Sequence, residues 1–187
     1  MQKEIKSVVE ALKKGESILY PSDTIWGIGC DATNAQAVEK IYHIKKRDPS
    51  QSMLILVSDI YMAQRYLDEM PDIAIQLLEC SDTPLTLVID GAINLAENLP
   101  APDSSIGLRI PDEDFCQEML RQFRKPVVST SANFSGQPTA TCFQEIDPAL
   151  SARIDHIVNW RQDERPSEKA SSIIRIKHDG EVQILRK

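Results

Sequence analysis

The sequence predicts one α/β domain in which helices pack on a mixed parallel and antiparallel sheet. Short apolar runs typical of buried strands alternate with segments whose apolar residues recur at helical spacing. Two strand-like runs near the end, joined around Asp179 and Gly180, predict a hairpin and therefore some antiparallel pairing. With 187 residues, 42% of them hydrophobic and 26% charged, the chain can bury a core and fits a single domain over residues 1–187.

The first half of the chain alternates helical and strand patterns. Apolar residues from Ile5 to Leu12 follow helical spacing, and Gly15 ends that helix. Asn34 is placed to cap a second helix that runs to about Lys46. The other predicted elements of this half are strands at 17–20, 53–57 and 84–89, and helices over 59–79 that are interrupted by Pro71.

The second half continues the pattern with weaker signals after Pro148. The predicted elements are a strand at 105–110, a helix at 113–123, strands at 126–128 and 156–160, and the hairpin strands at 171–176 and 181–186. Gly27, Gly29 and Ala32 match the spacing of a dinucleotide-binding fingerprint. Six residues separate this motif from the preceding strand, which disfavours a Rossmann site.

The composition excludes several classes of protein. A net charge of −7 and only 5% aromatic residues disfavour sequence-independent nucleic-acid binding and RNA recognition by stacking. The four cysteines and three histidines are scattered without metal-ligand spacing, so we expect reduced thiols and no metal site. No secretory signal and no apolar run of the ~20 residues that span a bilayer are present, which predicts a cytoplasmic protein with no membrane partner.

Two predicted strands end in small hydrogen-bonding residues. The strand at 126–128 runs into Ser129, Thr130, Ser131, Asn133 and Ser135, and the strand at 17–20 runs into a Pro-Ser-Asp-Thr sequence. Such residues favour turns, because they bond to their own backbone. The alternative is a polar cradle at the end of the sheet, where α/β proteins bind ligands.

Three cationic residues could serve the same pocket. Lys45 and Arg47 lie just past a predicted helix, where they either complement its C-terminus or hold a phosphate or carboxylate. Arg109 lies in a predicted strand, where it either faces solvent or projects into a pocket for a carboxylate. Thr86, taken alone, is an ordinary β-branched strand residue. We find no Ser-His-Asp set, so hydrolysis by an activated nucleophile has weak support.

Six segments resemble the YrdC/Sua5 family and occur in its order, covering roughly residues 5 to 186. They are YPSDTIWGIGCDA, IYHIKKRDPSQSMLILVSD, PLTLVI, SIGLRIPD, KPVVSTSANFSG and SSIIRI. The resemblance implies a twisted, open mixed sheet with a concave polar cleft. It also implies synthesis of threonylcarbamoyl-AMP and pyrophosphate from L-threonine, bicarbonate and ATP. That product feeds the transferase machinery that makes N6-threonylcarbamoyladenosine at position 37 of tRNA.

The resemblance also implies roles for individual residues. Lys45 and Arg47 would be catalytic and would hold the phosphates, with Mg²⁺ carried by the nucleotide. The threonine-binding residues would be Ser22, Arg109, Ser131 and Ser171, and the remaining ATP-binding residues would be Thr86, Asn133, Thr141 and Arg186. Ser22 replaces a frequent threonine, and Gln51 replaces a frequent lysine on the phosphate side. The acidic balance makes direct tRNA binding doubtful.

Two other functions remain open. One is a YciO-like protein of the same fold. That branch lacks the Lys-x-Arg pair and replaces the asparagine of the Ser-Ala-Asn sequence, whereas this chain has Lys45, Arg47 and Asn133 at those positions. The other is a non-catalytic module that binds RNA or nucleotide in the same cleft. Stabilisation by ATP together with threonine would distinguish the enzyme from an RNA-binding module.

Overall fold

Nine strands form one mixed sheet in this computed structural model, which describes residues 1–164, 170–178 and 180–187. The strands are β1 (Ile18–Tyr20), β2 (Gly27–Gly29), β3 (Leu54–Leu56), β4 (Leu85–Ile89), β5 (Ile106–Arg109), β6 (Val127–Ser131), β7 (His156–Ile157), β8 (Ser172–Ile176) and β9 (Val182–Arg186). Their order in the sheet is β7-β1-β2-β6-β3-β5-β4-β8-β9. Three neighbouring pairs are parallel (β1/β7, β3/β5 and β4/β8), and the other pairs are antiparallel, so the predicted mixed α/β sheet is confirmed.

Except for the short helix Pro148–Ser151, which was not predicted, the helices lie close to the predicted positions. They are α1 (Gln2–Lys13), α2 (Ala35–Lys45), α3 (Ile60–Ala63), α4 (Asp72–Cys80), α5 (Asp114–Phe123) and α6 (Pro148–Ser151), with short 3₁₀ turns at Gln64–Tyr66 and Phe143–Glu145. The predicted cap of α2 is confirmed, because Asn34 Oδ1 accepts hydrogen bonds from the backbone N–H groups of Gln36 and Ala37 at 3.1 and 3.2 Å. Pro71 interrupts the helical stretch immediately before α4, as predicted.

The two faces of the sheet are covered differently. Helices α1 and α5 pack together over one face, above buried residues such as Leu56 and Val127. The opposite face carries the larger apolar core, to which α2 contributes, with strand residues such as Ile55 and Val128. Because successive strand residues point to opposite faces, Ser129 lies on the same face as Val127. The part of that face beyond Val127 is open, and it forms a cleft.

Strand β2 was not predicted, and its glycines explain why. Glycine is depleted in strands, so a Gly-Ile-Gly run carries little strand signal. The structure requires glycine here, because a Cβ on Gly29 would lie 2.3 Å from the carbonyl oxygen of Val128. The same strand keeps β6 extended beyond its predicted end, since Gly27 pairs with Ser131 and Ile28 pairs with Thr130. The polar run that follows Val128 is therefore part of strand β6 as far as Ser131, and the turn begins only after it.

The predicted closing hairpin is confirmed in its strands. Strands β8 and β9 pair antiparallel, with Ile176 opposite Val182. Asp179, in the connection, lies outside the described residues. The predicted strand at 156–160 is shorter than expected, since β7 covers only His156–Ile157. Over the described parts of the chain, no helix is long and apolar enough to cross a membrane.

Candidate active site

The open part of the sheet forms a cleft of about 560 Å³. Strands β2 to β6 and β8 contribute its floor, and loops after β1, β6 and α2 contribute its walls. Cross-strand pairing aligns the floor, because Leu54 of β3 pairs with both Gly107 and Ser129. The predicted site residues that line the cleft are Ser22, Arg47, Thr86, Arg109, Ser131, Thr141, Ser171 and Arg186. Segments far apart in sequence therefore meet at one place.

The cleft is cationic although the chain as a whole is acidic. Arg47, Arg109 and Arg186 line it, and no acidic side chain does so among the residues that the structure describes. The remaining lining residues are serines, threonines, glycines and aliphatic residues. A concave surface with charges of one sign focuses the electric field. The net charge of −7 therefore does not describe this surface, which suits an anionic ligand.

Arg109 marks one end of the cleft. Its side chain is only 6% exposed, so the alternative in which it faces solvent is wrong. Nη1 donates to Thr24 Oγ1 at 2.9 Å, Nη2 forms a salt bridge with Asp23, and the buried Nε has no partner among the described residues. Asp23 also accepts a hydrogen bond from the backbone N–H of Asp112. The guanidinium is thus fixed in orientation, with hydrogen-bonding capacity left over.

The Pro-Ser-Asp-Thr loop that holds Arg109 is itself rigid. The hydroxyl of Ser22 donates to the carbonyl oxygen of Ile25 at 2.7 Å and accepts from the backbone N–H of Thr24 at 3.2 Å. These bonds are those of a serine turn, which was the simpler interpretation of the sequence. Ser22 and Thr24 nevertheless both line the cleft. The turn and the polar cradle are therefore the same structure.

A second hydroxyl pair lies on the β4 and β8 side. Thr86 Oγ1 is 2.8 Å from Ser171 Oγ, and both residues are buried. Arg186 of β9 donates from Nε and Nη2 to the carbonyl oxygen of Ser171 at 2.9 and 2.7 Å. Thr86 is thus more than a β-branched strand residue. It joins Ser171 and Arg186 in one hydrogen-bonded group at the cleft wall.

Arg47 lies on the opposite wall with part of its guanidinium free. Nε donates to the carbonyl oxygen of Gln51 at 2.8 Å, and Nη2 donates to that of Ser52 at 2.9 Å. Nη1 has no partner among the described residues and is available to a ligand. Burial lowers the pKa of Arg47, but arginine keeps its charge in proteins.

Lys45 was predicted to lie just past a helix, but it is the last residue of α2, and it is 1% exposed. Nζ donates to the carbonyl oxygens of Ser131 and Asn133 at 2.5 and 2.7 Å, and lies 3.4 Å from Asn133 Oδ1. Burial, and secondarily the charge of Arg47, lower the pKa of Lys45 to about 7. Lys45 and Asn133 are the two predicted site residues that are not among those lining the cleft. They lie behind its wall.

Asn133 closes the turn that follows β6. Its Oδ1 accepts from Ser131 Oγ at 2.5 Å, and its Nδ2 donates to the carbonyl oxygen of Gln137 at 2.6 Å. Lys45 holds the same turn from the other side, where its own carbonyl accepts from the N–H of Ser135 at 2.9 Å. The turn therefore presents Ser131 to the cleft in a fixed orientation.

The rim of the cleft carries Thr141. Its backbone N–H and its hydroxyl both donate to Glu145 Oε2, at 2.9 and 2.8 Å. The polar cleft residues that received no individual role from the sequence are Thr24, Ser52, Ser129, Thr130 and Thr139, although Thr24, Ser129 and Thr130 belong to the predicted polar cradle. The period of two along β6 was the available signal for Ser129, because it must share a face with Ser131.

A second, shallower groove of about 430 Å³ runs along α2 and is lined by Lys40, His43 and Arg153, among others. Its basic side chains mostly contact acidic side chains of the protein itself. Lys40 forms a salt bridge with Asp155, and His43 lies 3.0 Å from Glu39. Within the described ranges, no group of three or more His, Cys, Asp or Glu side chains could hold a metal ion. The cleft is therefore the stronger candidate site.

Comparison with known proteins identifies the family. The family model named for Sua5, YciO and YrdC, with the description "Telomere recombination", matches residues 10–187. A relative named threonylcarbamoyl-AMP synthase, from Vibrio campbellii, is 30% identical over 182 residues. That alignment covers 92% of this chain and 98% of the relative.

Two solved structures share the fold. P. abyssi Sua5, complexed with L-threonine, matches 92% of this chain with a TM-score of 0.81 and 20% identity; this chain spans about half (50%) of that protein. E. coli YciO matches 100% of this chain, and 90% of its own, with a TM-score of 0.87 and 23% identity. At these identities the structures establish the architecture alone. The family model extends over nearly all of the sequence, and the chain therefore belongs to the Sua5/YciO/YrdC family.

Proposed function

We propose that this chain makes threonylcarbamoyl-AMP and pyrophosphate from L-threonine, bicarbonate and ATP. The observation that carries the proposal is the cleft lined by Arg47, Arg109 and Arg186 and by several hydroxyls, with no acidic side chain lining it in the described parts of the chain. All three substrates are anionic or carry a carboxylate. The name of the Vibrio campbellii relative supports the same activity.

L-Threonine would bind at the Arg109 end. A guanidinium recognises a carboxylate through paired N–H donors. Arg109 lines the cleft, and its Nη1 and Nη2 each have one N–H beyond those that contact Thr24 and Asp23. Thr24 and Ser22 supply hydroxyl oxygens beside it. On the other wall the hydroxyl of Ser171, which contacts Thr86, can exchange hydrogen bonds with the hydroxyl or amine of threonine. A site that hydrogen-bonds a substrate hydroxyl discriminates strongly against analogues that lack it.

ATP would bind with its phosphates toward Arg47 and the turn after β6. We place Ser131, which the resemblance assigned to threonine, at this phosphate end, because that turn presents it to the cleft. Bicarbonate gives CO₂ by losing hydroxide, and the neutral threonine amine adds to CO₂ and loses one proton, so that water is the by-product. A carbamate oxygen then attacks the α-phosphorus. A new O–P bond forms as the bond to the β-phosphate oxygen breaks, so that pyrophosphate leaves. Such transfer depends on positioning and charge stabilisation rather than on a covalent protein nucleophile. Arg47 would stabilise the negative charge that develops on the leaving pyrophosphate directly, whereas Lys45 would act by positioning the turn that carries Ser131.

Mg²⁺ would enter as part of the nucleotide. The polar cleft residues are hydroxyl and guanidinium groups, which are poor ligands for Mg²⁺ compared with carboxylates and phosphates. The phosphates themselves would then hold the metal. The product would pass to the transferase that modifies tRNA, and we expect both proteins in the cytoplasm. The net charge of −7 disfavours sequence-independent RNA binding, so the proposal assigns no direct tRNA contact to this chain.

The test is direct detection of the product. Purified protein incubated with ATP, L-threonine and ¹³C-bicarbonate should yield a mass corresponding to threonylcarbamoyl-AMP, shifted by the labelled carbon. The Arg47→Ala variant, which removes the free guanidinium, serves as the negative control. Formation of the labelled adenylate by the wild type would exclude both the YciO-like and the RNA-binding alternatives. A folded protein that is stabilised by ATP but makes no labelled product would overturn the proposal.

A further inference from the structure

Tyr20 makes a buried hydrogen bond to a side chain of the cleft floor. Its hydroxyl donates to Ser129 Oγ at 2.6 Å, from β1 to β6 across the intervening β2. Tyr20 is fully buried, whereas Ser129 lines the cleft. Gly27 of β2 makes room for this contact, since a Cβ there would lie 3.1 Å from the Tyr20 hydroxyl oxygen. The hydrogen bond therefore connects the core to the site.

The direction of this hydrogen bond is determined by the environment of Tyr20. Burial raises the pKa of the Tyr20 phenol, so it stays protonated at any working pH. No other described residue accepts its proton, so the phenol must donate to Ser129. Because a hydroxyl carries only one hydrogen, the proton of Ser129 must point elsewhere. No described residue accepts that proton, and the cleft lies beside it.

Pairing across the sheet places Ser129 midway along the cleft floor. Leu54 pairs with Ser129 and Gly107, whereas the next residue on the same face, Leu56, pairs with Arg109. Ser131 lies two residues further along β6 in the other direction, opposite Gly27. Two residues of strand rise by about 7 Å. Ser129 therefore lies between the end proposed for threonine and the end proposed for the phosphates.

We propose that Ser129 donates a hydrogen bond to an anionic oxygen where the carbamate meets the α-phosphoryl group. Tyr20 acts as the positioning residue that directs this donor. The inference rests on the proposed function, and it assigns roles that neither residue received from the sequence. Ser129 keeps its proton throughout, while the carbamate O–P bond forms and pyrophosphate leaves. Donors aimed at charge that develops in the transition state affect kcat more than substrate binding.

The experiment is a double-mutant cycle with Tyr20→Phe and Ser129→Ala, read as kcat and as KM for threonine and for ATP. Ser129→Ala should lower kcat about 10- to 100-fold with little change in either KM, as for loss of one preorganised donor. Tyr20→Phe should cause a smaller loss, and the double variant should match Ser129→Ala, because the phenol acts only through Ser129. Ser129→Thr, which keeps a hydroxyl, should retain most of the rate.

Two controls distinguish an effect on catalysis from an effect on folding stability. Tyr66→Phe removes the hydroxyl of another buried tyrosine, away from the cleft, and should leave kcat unchanged. Melting temperatures of all variants show whether they fold. Losses that multiply in the double variant, or a Ser129→Ala enzyme with normal kcat, would overturn this assignment while the proposed function stands. A wild-type protein without threonine-dependent turnover would overturn both.

Discussion

The Nζ of Lys45, at the end of α2, donates to the carbonyl oxygens of both Ser131 and Asn133, at 2.5 and 2.7 Å. These partners lie 86 and 88 residues further along the chain. The Lys-x-Arg and Ser-x-Ser-Ala-Asn motifs are therefore one structural unit rather than two separate contact sites. A change at Lys45 should alter the cleft by releasing the turn that carries Ser131.

The first prediction concerns the pH dependence of stability. Burial lowers the pKa of Lys45 from 10.5 to about 7, so between these values the unfolded chain binds the proton and the folded chain does not. Stability must then rise with pH across that window. Relative to Lys45→Met, the wild type should gain at least about 1 kcal/mol in unfolding free energy between pH 6.5 and 9, measured with urea. Parallel pH profiles would contradict this, and Lys46→Met, at an exposed ammonium, is the control.

The second prediction is that the three adjacent cationic residues Lys45, Lys46 and Arg47 contribute differently to kcat/KM. Arg47→Ala should lower kcat/KM by about 100-fold, because its free guanidinium stabilises transferred charge. Lys45→Ala should cost as much, through disorder of the turn. Lys46→Ala should stay within about twofold, since its Nζ lies over the ring of Phe134, at 5.0 Å from the centroid, and does not line the cleft. Steady-state pyrophosphate release gives all three values. An Arg47→Ala enzyme with more than half the wild-type rate would refute the assignment.

Most of the sheet could be predicted because its strands are apolar runs, as in 53–57 and 84–89. Strand β2 could not, since the close approach that requires Gly29 depends on a neighbour in space, Val128. The same limit applies to the site. Motif resemblance located the cleft residues, but only the structure shows that Lys45 contacts a turn, because that depends on the turn after β6 lying beside the end of α2.

The third prediction concerns Arg109. Arg109→Ala should raise the KM for threonine about 100-fold and change the KM for ATP little, because the residue lies at one end of the cleft. Arg109→Lys should fail to restore threonine binding, since a point charge cannot contact Thr24, Asp23 and a carboxylate together. Isothermal titration with L-threonine provides an independent affinity. An unchanged threonine affinity in Arg109→Lys would place the carboxylate elsewhere.

The fourth prediction tests the packing of β2. Gly29→Ala should destabilise the protein by about 2 to 4 kcal/mol, because its Cβ would collide with the carbonyl oxygen of Val128 at 2.3 Å and force the two strands apart. Gly136→Ala is the matched control. It has no neighbouring atom within 4 Å and should cost only about 1 kcal/mol, from its positive φ of 79°. Denaturant unfolding measures both. An equal loss of unfolding free energy in both variants would show that the short distance between Gly29 and β6 does not require glycine.

The most direct test of the proposed function is pyrophosphate release from ATP in bicarbonate buffer, with L-threonine, with L-serine and with neither amino acid. The account predicts release that depends on threonine, is much slower with serine, and is lost in Arg47→Ala. Pyrophosphate release that does not depend on threonine, or none at all from a folded protein that binds ATP, would contradict it.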